Sequence, residues 1–182
     1  MKNVFVIASL GLIVLLATVC TSGTSQTTTG VAKVFLVETV AKRVGTKAVD
    51  FTWKDGGKTV SFAEVTKGKV VLLNIWATWC GPCKRELPDL VALSSELASK
   101  GVVVFGISVD QKDDRLQLVK TFCERTGIPF TNVIDNLQIA DAYGKIQSIP
   151  TTFIIDRQGN VVQRITGMQT KEAFLAALQK AM

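Results

Sequence analysis

The most informative stretch of the chain is WATWCGPC, residues 76–83. It follows VVLLNIW, a nearly unbroken apolar run that is typical of a strand buried on both faces of a parallel sheet. Leucines at helical spacing come next, so the pattern predicts a helix over about residues 81–99, kinked at Pro88. The two cysteines therefore lie where a buried strand ends and a helix begins.

This position favours a reactive sulfur at Cys80. The first backbone N–H groups of a helix have no partner inside the helix, and together with the helix dipole they stabilise a nearby anion. We therefore expect the pKa of the Cys80 thiol to lie below the free value of about 8.5. Cys83 lies one turn further on the same side, within reach for a disulfide. Gly81 leaves room for a partner's backbone. Pro82 has no N–H, but no hydrogen bond is lost, because an N–H at the start of a helix would have no partner.

The chain contains no histidine, which limits the catalytic and metal-binding chemistry that it can perform. This excludes the usual general base at neutral pH and the Cys-His nucleophile pair. A zinc site is disfavoured, since Cys20 and Cys123 are the remaining cysteines, and Lys84 stands where c-type haem attachment needs histidine. We expect no metal and no cofactor. A purely structural disulfide and a Cu(I) site on the two thiolates remain as alternatives.

The 182 residues suit one domain with an N-terminal extension. Lys2 and the uncharged run over residues 4–20 predict a signal or anchor segment over residues 1–20, which is a cleaved signal peptide, a membrane helix, or a lipoprotein signal ending at Cys20. Each alternative exports the rest of the chain. Residues 21–43 are a Ser/Thr-rich linker followed by a leader, for which strand and helix both stay open. The net charge of +6 is scattered, which indicates a solvated basic surface and no nucleic-acid binding.

Alternating strand and helix patterns over residues 44–182 predict a mixed α/β sheet. A hairpin is expected over residues 49–53 and 59–62, turning at Asp55-Gly56-Gly57. We predict further strands over residues 102–109, 130–134, 151–156 and 161–166, and helices up to about residue 126, over 137–143 and over 171–182. Asp110 would cap the first of these helices and Gly127 would end it. Cys123 shares a helical face with Leu116 and Val119, which favours a core residue.

The motif resembles the active site of the thioredoxin superfamily, and its surroundings resemble the exported, membrane-tethered TlpA/ResA-like thiol–disulfide oxidoreductases. The similar stretches are VDF at residues 49–51, KVVLLN at 69–74, KRELP at 84–88 and SIPTTFIID at 148–156. The helix and strand over residues 111–135 resemble that branch's central insertion. The resemblance implies a thioredoxin-like mixed central sheet flanked by helices, with an N-terminal β-hairpin and a central αβ insertion.

The resemblance also implies roles for individual residues. Cys80 matches the attacking cysteine and Cys83 the resolving cysteine. Pro150 matches the family's cis-proline, so we expect a cis peptide bond there, with Ile149 offering backbone groups to an extended substrate segment. Glu86 matches an acid that handles protons near the dithiol, although an ordinary exposed glutamate is the alternative interpretation.

Further positions refine this interpretation of the site. Trp79 is expected to join Gly81 and Pro82 in the substrate-docking surface, whereas Trp76 is expected in the core. Asn74 stands where ordinary thioredoxins carry a buried aspartate, which supports the exported branch.

The implied function is that of a tethered, extracytoplasmic enzyme, a monomer that reduces disulfides in exported proteins. Its partners would be those proteins, a membrane thiol donor and the membrane itself, and cytochrome c maturation is a family-level hypothesis. The alternatives are a thiol peroxidase on the same fold and a Cu(I)-binding chaperone.

Overall fold

The computed structural model describes residues 33–182 of the chain. The predictions for residues 1–20, for lipid attachment at Cys20 and for the linker that starts at Thr21 lie outside the described residues. The strands are β1 Val34–Val40, β2 Phe51–Asp55, β3 Lys58–Ser61, β4 Val70–Trp76, β5 Val102–Ser108, β6 Asn132–Ile134, β7 Thr151–Ile155 and β8 Val161–Thr166. The helices are α1 Phe62–Thr66, α2 Gly81–Glu96, α3 Arg115–Thr126, α4 Gln138–Ala142 and α5 Lys171–Gln179.

All of these strands form one eight-stranded mixed sheet with the order β3-β2-β1-β6-β5-β4-β7-β8. The four central strands β1, β6, β5 and β4 are mutually parallel. The outer pairs run antiparallel to their inner neighbours, so that β7 and β8 close one side and the β2–β3 hairpin closes the other. This confirms the predicted mixed α/β sheet, its N-terminal hairpin and the α3–β6 insertion.

The leader segment for which strand and helix stayed open contributes β1. This strand pairs with β2 on one side and with β6 on the other, joining the hairpin to the central sheet. Two ladders of backbone hydrogen bonds therefore hold this segment in the sheet.

Side chains of β4 alternate between the two faces of the sheet, as the period of a strand requires. Val70, Leu72 and Trp76 belong to the core cluster that includes buried side chains of α2, α3 and α5. Val71, Leu73 and Ile75 belong to the opposite cluster, which includes Phe62 of α1 and Ile139 of α4. Helices thus cover both faces of β4, the strand that leads to the cysteine pair.

Several predicted boundaries were wrong: β2 spans Phe51–Asp55 instead of residues 49–53, and α5 ends at Gln179 instead of residue 182. Phe62 begins the short helix α1 rather than ending β3, because Ser61 caps that helix by accepting the Glu64 N–H. The helix α2 ends at Glu96, and a short 3₁₀ turn follows over Ala98–Lys100. Asp110 does not cap α3, which begins only at Arg115; Gly127 does end this helix, in the left-handed conformation. None of the helices within residues 33–182 is long and apolar enough to span a membrane.

Candidate active site

The two cysteines lie at the start of α2, directly after the turn that follows β4. Cys80 is the N-cap residue, Pro82 lies in the first helical turn, and the Cys83 N–H points at Cys80 Sγ over 3.2 Å. The two sulfurs are joined in a disulfide. Cys80 is 5% exposed and Cys83 is fully buried. The helix end thus donates to the outer sulfur, and a partner in solution has access to that sulfur rather than to the inner one.

The loop before β7 faces this disulfide. The Ile149–Pro150 peptide bond is cis, as the resemblance implied. The carbonyl oxygen of Ile149 lies 3.7 Å from Cys80 Sγ, so this loop lines the approach to the outer sulfur. The carbonyl of Pro150 accepts the N–H of Gly167 over 2.8 Å. This bond places the loop between β8 and α5 beside the cis-proline.

The two tryptophans of the motif have different surroundings. Trp79 is 65% exposed beside Cys80, whereas Trp76 is fully buried and its Nε1 donates to Asn132 Oδ1 over 3.0 Å. Pro82 is also exposed. Met168 follows Gly167 in the loop that bonds to Pro150, and it is also exposed. Trp79 thus offers exposed apolar surface beside Cys80.

Glu86 lies one helical turn beyond Cys83 and is only 1% exposed, so it is not an ordinary surface glutamate. Its Oε1 accepts from Asn74 Nδ2 over 2.8 Å, and its Oε2 accepts the Gln169 N–H over 3.2 Å. Burial raises the pKa of Glu86 to about 7, against the lowering effect of these two hydrogen bonds, and nearby Asp89 adds to the rise. A carboxyl group that titrates near neutral pH can both give and take a proton.

Asn74 connects this carboxyl group to the strand under the cis-proline. Its Nδ2 also donates to Thr152 Oγ1 over 3.0 Å, while its Oδ1 has no hydrogen-bond partner among residues 33–182. The contribution of Gln169 was missed from the sequence, because it comes from a backbone N–H and leaves no side-chain signature.

A second buried acid, Asp110, lies at the end of β5. Its two oxygens accept from the backbone N–H and the hydroxyl of Thr78, in the turn before Cys80, over 2.9 and 2.7 Å. These bonds explain why Asp110 is not the helix cap expected from the sequence: its carboxylate is occupied by the dithiol turn.

The third described cysteine has a different environment. Cys123 is buried in the core, as predicted, and burial raises the pKa of its thiol to about 12. Within residues 33–182, no group of three or more Cys, Asp or Glu side chains could hold a metal ion. The reactive sulfur chemistry of the described chain therefore centres on Cys80 and Cys83.

A cysteine pair at a strand-to-helix junction, facing a cis-proline on a mixed sheet of this topology, defines the class of thioredoxin-like thiol–disulfide oxidoreductases. The chain belongs to the AhpC/TSA family of thioredoxin-like proteins, whose pattern matches residues 44–164. It is 36% identical over 148 residues to the thiol–disulfide oxidoreductase ResA of Bacillus thuringiensis (strain Al Hakam), covering 80% of this chain and 83% of the relative. It is 40% identical over 140 residues to ResA of Geobacillus thermodenitrificans, covering 76% of this chain and 78% of the relative.

Solved structures agree with these relatives. A thioredoxin-family thiol:disulfide interchange protein of Chlorobium tepidum superposes with a TM-score of 0.66 at 33% identity, covering 78% of this chain and 99% of the other. The exposed lipoprotein thioredoxin Etrx1 of Streptococcus pneumoniae superposes with a TM-score of 0.60 at 28% identity, covering 72% of this chain and 98% of the other. The protein is therefore an enzyme of thiol–disulfide exchange.

Proposed function

We propose that the protein reduces disulfides in exported proteins, with Cys80 as the attacking and Cys83 as the resolving cysteine. The observation that supports this most directly is the Cys83 N–H, at the start of α2, directed at Cys80 Sγ over 3.2 Å. A donor there stabilises a thiolate, and Cys80 is the sulfur that a partner can approach.

The proposed reaction has two displacement steps. The Cys80 thiolate attacks one sulfur of the substrate disulfide; a mixed disulfide forms and the second substrate sulfur leaves as a thiolate. The Cys83 thiolate then attacks Cys80 Sγ, which breaks the mixed disulfide and releases the second substrate sulfur as a thiolate. The two substrate thiolates become thiols by taking up two protons, one equivalent to the proton that Cys83 lost and one from water. Two electrons pass to the substrate, and Cys80 and Cys83 end as the disulfide seen in the structure. A membrane thiol donor would restore the dithiol by the reverse chemistry.

In this proposal, Glu86 accepts and returns the proton of the inner cysteine. The inner thiol must lose its proton before it can attack, and it is buried away from water. Glu86 lies one turn further along the same helix, and its pKa of about 7 matches a group that exchanges protons near neutral pH. We propose that it takes the Cys83 proton in the resolving step and returns it when the disulfide is reduced.

The substrate surface in this proposal surrounds Cys80. Trp79 and Pro82 offer exposed apolar area. Among the side chains of residues 33–182, a Cβ added at Gly81 would meet only the Arg85 guanidinium within 4 Å, which leaves room for a partner's backbone. Ile149 and Pro150 would bind an extended segment of the substrate beside the sulfur, in the manner of an added strand.

The direction and the location of the reaction belong to the same proposal. The Gly-Pro pair between the cysteines resembles that of reducing thioredoxins. The uncharged run over residues 4–20 supports export and tethering, and the structural likeness to a protein described as an exposed lipoprotein supports a lipid on Cys20 as one form of tether. Apocytochromes c, whose haem-attachment cysteines must be reduced, are the first substrate class to test.

The test uses Cys83→Ser, which keeps the attacking sulfur but removes the resolving one. We expect this variant to accumulate a mixed disulfide with its substrate through Cys80, which mass spectrometry of the trapped complex would identify. Cys123→Ser is the matched control, because it removes a buried thiol outside the site and should trap nothing. If Cys83→Ser traps no partner while Cys80→Ser retains full exchange activity, the assigned roles are wrong.

A further inference from the structure

The turn between β4 and α2 is fixed to the next strand by a buried acid. Asp110 is 1% exposed, and it accepts from the Thr78 N–H over 2.9 Å and from Thr78 Oγ1 over 2.7 Å. Thr78 immediately precedes the exposed Trp79 and lies two residues before Cys80. The contact joins residues that are 32 positions apart in the chain.

The carboxylate of Asp110 is itself held in one orientation. Ser108 Oγ donates to Asp110 Oδ2 over 2.7 Å and in turn accepts the Asp110 N–H over 3.2 Å. A buried carboxylate is costly unless its oxygens are hydrogen-bonded, and all of these donors come from Ser108 and Thr78. Asp110 does not serve α3, which begins at Arg115.

The rest of the turn is closed by a backbone bond next to this anchor. The Cys80 N–H donates to the Ala77 carbonyl over 3.1 Å, so residues 77–80 form a closed turn. Within it, Thr78 is the residue whose side chain is bound to the sheet, while Trp79 points into solvent. Holding Thr78 therefore sets both where Trp79 projects and where Cys80 meets the start of α2.

We propose that Asp110 is a positioning residue for thiol–disulfide exchange, acting through Thr78 to hold Trp79 and Cys80 in the orientation that meets the substrate disulfide. The inference rests on the proposed function, in which Cys80 attacks. Attack on a disulfide requires alignment of three sulfurs, and small misplacements of a reacting group slow such steps strongly.

The variants Asp110→Asn, Thr78→Val and Thr78→Ser test this in the full chain. Asparagine replaces one accepting oxygen by a donor, and valine removes the threonine hydroxyl at nearly constant shape, whereas serine keeps both donors. We expect the first two variants to slow the reduction of insulin about tenfold and Thr78→Ser to keep a rate close to that of the wild type. The double variant Asp110→Asn, Thr78→Val should be no slower than Asp110→Asn alone, because both changes weaken the same Thr78–Asp110 contact.

A second readout separates positioning from simple loss of stability. Quenching of tryptophan fluorescence by iodide reports on Trp79, the exposed one of the chain's three tryptophans. The extent of this quenching should change in Asp110→Asn and Thr78→Val. Asp135→Asn is the matched control, since Asp135 is equally buried at the end of β6 but accepts from Ile139 and Ala140, away from the dithiol turn. It should lower the melting temperature without changing insulin reduction or quenching.

The proposal is overturned if Asp110→Asn and Thr78→Val melt earlier but keep the wild-type rate and quenching, or if Asp135→Asn slows exchange equally. A wild-type chain that does not reduce insulin would instead contradict the proposed function. In that case the quenching comparison still decides whether Asp110 orients the Trp79 turn.

Discussion

Glu86 is a carboxyl group buried beside a disulfide, with one hydrogen bond to each oxygen. Because desolvation outweighs those bonds, its pKa rises to about 7. The carboxyl group is therefore mostly protonated in the folded protein below about pH 7. Ionising this group inside the folded protein lowers the free energy of unfolding.

The pH dependence of unfolding follows from this shift. Since the folded pKa exceeds the unfolded value, the group stabilises the protein at low pH, and this contribution is lost as the pH rises through about 7. Between about pH 5 and pH 8 the loss from Glu86 is on the order of 2–3 kcal/mol. We expect Glu86→Gln to lack this part of the slope in urea unfolding curves measured across that range.

The control for this measurement is Glu124→Gln, which changes an exposed glutamate on α3 and should keep the wild-type slope. An identical slope in Glu86→Gln and in the wild type would show that Glu86 titrates like a surface carboxyl group.

At the level of elements, the parallel strands β5 and β6 meet at an unusually close contact. Gly106 pairs with Asn132, whose Oδ1 receives the indole N–H of Trp76 from the active-site strand. A Cβ at position 106 would overlap with Asn132 Oδ1 and lie 3.0 Å from Trp76 Nε1. Glycine is required here for space rather than for backbone freedom, because the strand conformation is ordinary.

Gly106→Ala is therefore expected to destabilise the protein by about 1–3 kcal/mol, because overpacking displaces Asn132 and weakens its bond to Trp76. Denaturant unfolding would measure this free energy. Gly81→Ala is a steric control, since among the described side chains only the end of Arg85 comes within 4 Å of an added Cβ there, and its unfolding free energy should stay close to that of the wild type. Equal effects of the two changes would contradict the packing argument.

Across the whole molecule, the chain enters the fold at β1, three positions along the sheet from β4, the strand that leads to the dithiol. Val34, the first residue of β1, pairs with Asn132 of β6 and is thereby level with Gly106 of β5 and Asn74 of β4. Cys80 follows the carboxyl end of β4. Neighbouring strands lie about 4.8 Å apart, so about 14 Å separates β1 from β4 across the sheet.

A tether before residue 33 would thus join the fold at a different strand from the one that leads to the disulfide. We expect the full chain to sediment with phospholipid vesicles and to reduce soluble insulin as fast in vesicles as in detergent. Cys20→Ser distinguishes the forms of tether when membranes from cells that express the protein are isolated. A chain anchored by a lipid on Cys20 would be lost from these membranes, whereas a chain held by a helix would remain in them. Recovery in the soluble fraction, or slower reduction in vesicles, would contradict the tethered arrangement.

Sequence patterns predicted the parts of this protein that depend on local chemistry. The apolar run of β4 and the cysteines after it located the strand-to-helix junction. Strand alternation predicted the hairpin and the sheet class. The cis bond at Pro150 could be expected only through resemblance, since trans is the ordinary state of the peptide bond before proline.

The remaining features depend on contacts between residues distant in the chain, which carry no local signal. Glu86 is buried because Asn74, 12 residues earlier, and Gln169, 83 residues later, close over it. Asp110 looked like a helix cap, and only the fold brought Thr78 to its carboxylate. The sequence by itself thus determined the class of fold and the reacting sulfurs, because both follow from residue types at fixed spacing. The tertiary structure decided the burial, the pKa and the partners of the acids around them, because those depend on which strands and loops meet.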